Sequence, residues 1–296
     1  MTLEWVALAA VRWVYLLAAA GLFGLSLFPI YAPREIRRIY AEDAYIGATM
    51  KALAGAAFVS TLAWAVVTLA SLTGDGLISA LDVAAWRVFV LETTFGPAWT
   101  LGAALALLNV LLVARAGVRK SFGLLAPASA LLLVSHVWLG HAAAVEGASA
   151  WAVKLGYTLH VLGAGAWFGG LLALTFLLGH FDDLLDTQAL LERFSRLGLL
   201  AVAALLIGGV VNAAAHLPSV ASIVSSAWGR TLLVKMALVV LMLGLAGLNR
   251  FVLMPRLRLY PTSSGKALRL SVVAETVLGV AVLTLTAALG ILDPAS

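Results

Sequence analysis

The chain has 296 residues, of which 63% are hydrophobic and 11% charged, a formal net charge of +5 and no cysteine. A mean hydropathy of +1.05 and a charged fraction far below the roughly 25% of soluble domains identify an integral membrane protein. Thiolate metal sites, disulfides and thiol redox chemistry are excluded, and the basic excess does not point to nucleic acid, because it sits in short loops between apolar runs.

A transmembrane helix needs about 20 apolar residues. Eight runs qualify: 5–30, 46–73, 88–114, 121–142, 152–179, 196–217, 229–251 and 267–291. The first is preceded by Glu4 rather than by a basic stretch, and it is too long for the apolar core of a signal peptide; it is expected to be the first span. Backbone groups in lipid must pair within their own segment, so all eight are expected to be helices. The predicted fold is an all-α bundle of about eight transmembrane helices, a single domain over 1–296. The loop before the sixth span, HFDDLLDTQALLERFSR, has helical periodicity and is expected to form a short interfacial helix.

Arg34, Arg37 and Arg38 lie in the first loop, and Arg115, Arg119 and Lys120 in the third. Arg193 and Arg196 follow in the fifth, and Arg250, Arg256, Arg258, Lys266 and Arg269 in or beside the seventh. Basic residues concentrate in cytoplasmic loops, so the odd-numbered loops are predicted to be cytoplasmic and both termini periplasmic.

That topology places polar groups at one depth in the outer leaflet. The fourth span carries His136 and His141, and the fifth carries His160 at a similar level. The sixth ends with Asn212 and His216, one helical turn apart on one face. Lys235 lies one or two turns into the seventh, followed by Met236 and Met242. Glu92 begins the third, where Lys235 is expected as its counter-charge. Ionisable groups inside a bilayer are costly and so mark functional sites. Imidazole suits copper, zinc, nickel and iron, and without cysteine an outward-facing histidine site fits copper capture. His136 and His141 are five residues apart and point about 140° from each other on a straight helix, so they do not form a local chelating pair. The glycines of the fifth span (Gly156, Gly163, Gly169, Gly170) are expected at close helix crossings.

Several strings resemble the CopD family of copper-resistance membrane proteins. They are VSHVWLGHAAA (134–144), LHVLGAGAWFGGLLAL (159–174), ERFSRLGLLAVAALLIGGVVNAAAHL (192–217), WGRTLLVKMALVVLMLGLAGLNR (228–250) and ETVLGVAVLTLTAALG (275–290), with RVFVLETTFGPAW (87–99) similar to the family's third span. The likeness is strongest over 192–292. It implies a multi-pass protein of the bacterial inner membrane that moves copper from the periplasm, with a small periplasmic copper-binding protein of the CopC type as a partner. It also implies roles for His141, His160, Trp167, Asn212, His216, Lys235 and Asn249. His136 stands on its depth alone.

Three readings follow. The first is a copper permease binding copper at His141, His160 and His216, with His136 as a deeper relay and Glu92, Asn212, Lys235, Trp167, Met236 and Met242 as supporting or pathway residues. The second is an electron-transfer protein with b-type haem held axially by His136 and His160. The third is a membrane scaffold that receives copper without transporting it. No phosphate-binding GxxxxGK[ST] run and no nucleophile–base pair is present, so no enzyme activity is expected. On the cytoplasmic side only His180 and Glu275 are candidate ligands.

Overall fold

In the computed structural model, residues 3–74, 76–115, 117–139, 145, 147, 149–180, 184–217, 219 and 221–293 are described. Among them the chain is all-α. The helices are α1 (Leu3–Tyr31), α2 (Arg34–Glu42), α3 (Ala44–Thr73), α4 (Val83–Glu92), α5 (Phe95–Arg115), α6 (Gly117–Ser135), α7 (Ala150–His180), α8 (Leu184–His216), α9 (Ser222–Ser225), α10 (Ala227–Leu248), α11 (Met254–Arg256) and α12 (Pro261–Leu289). Two 3₁₀ turns, Gly76–Leu81 and His136–Trp138, precede α4 and extend α6, and a π-helical turn, Asn249–Leu253, joins α10 to α11.

Among the described residues seven helices are long and apolar enough to cross a membrane, and a shorter apolar helix, Phe122–Trp138, stands where the fourth span is expected. Caps fix several boundaries. Asp43 accepts the Ile46 N–H at the start of α3, and Gly74, with φ of 76°, closes its end by donating to the Ala70 carbonyl. Ser226 accepts the Gly229 N–H at the start of α10.

Three boundaries differ from the sequence expectation. The third span is not one helix from residue 88: the chain breaks after Glu92, and Thr93 Oγ1 accepts the Gly96 N–H to begin α5. The stretch before the sixth span is not a separate interfacial helix. It is the first part of the continuous 33-residue α8, which has no proline to interrupt it. The first loop is itself helical, because α2 buries Ile36 and Tyr40, four residues apart, while its arginines face outward.

The core is built around α1, which packs on α3, α6, α7 and α12. Side chains at Gly24 and Gly169 would each run into the other's backbone, so α1 and α7 touch main chain to main chain. Among the spans, α1 and α7 are the most enclosed, while α8 and α10 are the most exposed and present apolar residues such as Leu200, Ile207 and Val240 outward. Exposed apolar faces on peripheral helices are what lipid requires.

Candidate metal site

Successive spans alternate in direction, so the start of α7, the end of α8 and the start of α10 meet at one end of the bundle. There α7 and α8 cross closely. A side chain at Gly208 would strike the Gly156 carbonyl, and one at Gly163 would strike the Ala201 carbonyl. His160 lies in this seam, its backbone and Cβ against Gly208 and its ring against Gly209, and its Nδ1 is 2.8 Å from the Leu205 carbonyl of α8. Further along α8, Asn212 Nδ2 donates to the Gly208 carbonyl over 2.8 Å, and His216 Nδ1 is 2.7 Å from the Asn212 carbonyl.

A carbonyl oxygen only accepts, so Nδ1 of each ring carries the hydrogen. In the neutral imidazole the lone pair is then at Nε2. Histidine ligands to metals are commonly fixed in this way, one ring N–H given to a carbonyl or carboxylate and the other nitrogen presented to the ion. His160 packs at the level of Gly208 and Gly209, and His216 is seven residues beyond Gly209, on the order of 10 Å along the helix axis. They are two successive positions on one seam rather than one chelate. Among the described residues no three of His, Asp and Glu converge as a metal-binding group. His141 lies outside the described residues.

His136 has a different environment. It is 2% exposed and sits among three rings from three helices. Tyr15 stacks on it at 5.4 Å and 28°, Trp64 lies at 5.1 Å, and Tyr157 at 6.0 Å. Its Nδ1 is buried without a hydrogen-bond partner. Tyr15 is held in turn by its hydroxyl, which donates to the Leu132 carbonyl over 2.8 Å. The buried Arg12 lies over Trp64 at 5.0 Å and presses against Gly290, just beyond the last turn of α12. A helix C-terminus carries partial negative charge, which suits a cation at this depth. An axial haem ligand needs an open slot for the macrocycle; around His136 that space is taken by Tyr15, Trp64 and Tyr157, so these residues do not fit a haem.

The other expected residues are dispersed. Lys235 on α10 is partly buried and within electrostatic range of His160. Glu92 is exposed at the end of α4 and makes no ion pair with Lys235; the break before α5 separates it from the span it was expected to begin. Met236 is 55% exposed, whereas Met242 is buried beside Gly279. Trp167 is buried near the middle of α7, where it lines a cavity of about 220 Å³ between α7, α8, α10 and α12 that extends towards the basic end. Glu275 lines the same cavity; it is 2% exposed and accepts a hydrogen bond from Asn249 Nδ2 in the π-helical turn. The side chain of His180 lies outside the described residues.

Two features escape sequence reasoning. The aromatic cage of His136 draws on helices distant in sequence, and its one local signal is Trp64, a tryptophan deep in a span rather than near its edge. The pairing of Asn249 with Glu275 depends on the π-helical turn, which leaves no mark in hydropathy.

Comparison with known proteins adds an independent finding. The family profile described as "Copper resistance protein D" matches residues 188–289, and that described as "Copper resistance protein D-like, N-terminal domain" matches residues 1–152. A protein of Pseudomonas syringae pv. tomato named "Copper resistance protein D" is 31% identical over 96% of both chains. "Inner membrane protein YebZ" of Escherichia coli (strain K12) is 29% identical over 99% of both. "Copper transport protein CutJ" of Bacillus subtilis (strain 168) is 34% identical over 71% of this chain and 39% of its own length. No solved structure matches.

Proposed function

This chain is a member of the copper resistance protein D family, and from that premise we propose that it accepts copper at the periplasmic face of a bacterial inner membrane. His216 and then His160 take the ion; the family likeness also implies His141 as a ligand. The observation that carries the reading is the pair of Nδ1–carbonyl hydrogen bonds at Leu205 and Asn212, which turn both rings to offer Nε2. Copper is the cargo. Nε2 of each neutral imidazole donates to it, the two carbonyls hold the tautomer and ring plane, and Asn212 braces the last turns of α8. Lys235 near His160 disfavours a second positive charge there, so binding at the deeper position is weakened and release is favoured.

The basic loops support a cytoplasmic placement of the opposite end and periplasmic termini. A periplasmic copper-binding protein of the CopC type is the donor in this scheme, and the chain acts as a carrier or acceptor rather than as an enzyme. His136, enclosed by aromatic rings, supports the packing of α1, α3 and α7 instead of serving as a relay.

The test is copper stoichiometry and a visible spectrum of the purified protein, followed by copper uptake into proteoliposomes. The expected result is bound copper that is lost in His160→Ala and weakened in His216→Ala, with no Soret band. Full copper retention in both variants would overturn the site, and binding without flux would leave an acceptor rather than an importer.

A further inference from the structure

We propose that the basic end of the bundle holds an anionic phospholipid, its phosphate among Arg196, Arg250 and Arg258 and one acyl chain in the apolar cavity between α8 and α10. Two adjoining spaces carry this. The first, about 550 Å³, is lined by Gln188, Glu192, Ser195 and the three arginines, with Met254 and Pro255. The second is the cavity of about 220 Å³ that includes Trp167, Leu171 and Leu243. Ser195, Arg250 and Met254 line both, so a charged compartment leads into an apolar one.

The surrounding helices leave the space open towards lipid. α7 and α12 pack on each other and form its floor, α8 packs on α7, and α10 on α12. α8 and α10 are not closely packed on each other, and Leu199 and Phe251 at the mouth are exposed. No side chain fills the gap from the helices either: a Cβ at Gly198 or at Gly247, both lining the cavity, meets nothing within 4 Å.

The charge is suitably disposed. Arg250 is anchored by donating to the Ser195 carbonyl over 3.2 Å and to Ser195 Oγ, and Arg258 Nε donates to Gln188 Oε1 over 3.1 Å. Each guanidinium has further N–H groups for an anion. Among the described residues Glu192 is the one acidic group lining the compartment, and its Oε1 accepts from Gln188 Nε2, so among them three cations face one carboxylate. Glu275, on the apolar floor, is already engaged by Asn249. A free phosphate would use the arginines but not the cavity, whereas a phospholipid uses both. Basic pockets between helices at the cytoplasmic side suit anionic lipid headgroups.

Native mass spectrometry and thermal denaturation of the full chain test this with three probes: dioleoylphosphatidylglycerol, dioleoylphosphatidylcholine and inorganic phosphate. The expected result is retention of, and stabilisation by, phosphatidylglycerol, with clearly weaker effects from the other two. Arg196→Gln combined with Arg258→Gln should weaken phosphatidylglycerol binding by about thirtyfold. Gly247→Leu, which fills the cavity without touching the arginines, should also displace the lipid. Equal stabilisation by inorganic phosphate would make this a free-anion site and overturn the proposal. Equal binding of phosphatidylcholine, or undiminished phosphatidylglycerol binding in both folded variants, would overturn it as well.

Discussion

Nδ1 of His160, on α7, donates to the carbonyl of Leu205, on α8, over 2.8 Å, at a crossing where side chains at Gly163 and Gly208 would strike the facing backbone. The bond ties ring orientation to helix packing, so in the proposed copper site the presentation of His160 Nε2 depends on residues that would never touch the metal.

Gly209 tests that link. A Cβ there would lie 3.2 Å from His160 Nδ1, so Gly209→Val should push the ring off the Leu205 carbonyl. Changes in the groups that orient a ligand commonly cost about 10- to 100-fold in metal affinity. A loss of that size, measured by competition with a copper chelator while the helical circular dichroism is retained, is the expected outcome; unchanged affinity would detach the seam from the site.

His136 offers a contrast between packing and chemistry. His136→Phe keeps a ring against Tyr15, Trp64 and Tyr157 and removes a buried nitrogen that lacks a hydrogen-bond partner, so stability should change by less than about 1 kcal/mol. His136→Ala empties the cage and should cost about 2–4 kcal/mol. Unfolding in mixed micelles measures both, and copper stoichiometry of the phenylalanine variant should match that of the parent.

The inner pair is a matter of satisfied polarity. Asn249→Ala leaves the Glu275 carboxyl buried without its donor, a cost of about 1–3 kcal/mol. Adding Glu275→Leu removes the group that needs a partner and should recover most of that loss. A double-mutant cycle with no coupling between the two positions would contradict the arrangement.

The α1–α7 crossing has no slack. A methyl group at Gly169 would meet the backbone of Gly24, so Gly169→Ala should destabilise the bundle by about 1–3 kcal/mol, the usual cost of overpacking. Gly55, where a Cβ meets nothing within 4 Å, is the control: Gly55→Ala should leave the unfolding midpoint in mixed micelles at or above that of the parent.

Much of the bundle was legible in one dimension because lipid imposes a strict rule. Every spanning segment must be apolar and must satisfy its own backbone, so eight apolar runs appear directly in hydropathy; among the described residues seven hold long apolar helices and the fourth a shorter one. The family likeness was legible too, in motifs that keep their order along the chain. The break after Glu92 leaves no mark in hydropathy but does have a local signal: Pro97 lacks the N–H that a helix continuing from α4 would need, and the Thr93 hydroxyl caps α5.

The sequence by itself therefore determined the membrane class, the apolar runs that become spans and the asymmetry of basic loops, since each depends on local composition. Only the tertiary structure decided which histidines share an environment. Depth along a helix can be counted in residues, but azimuth and neighbours depend on how close two helices approach. That is why His160 lies in a glycine-lined seam with its tautomer fixed by Leu205, whereas His136, at the same end of the bundle, is sealed among Tyr15, Trp64 and Tyr157.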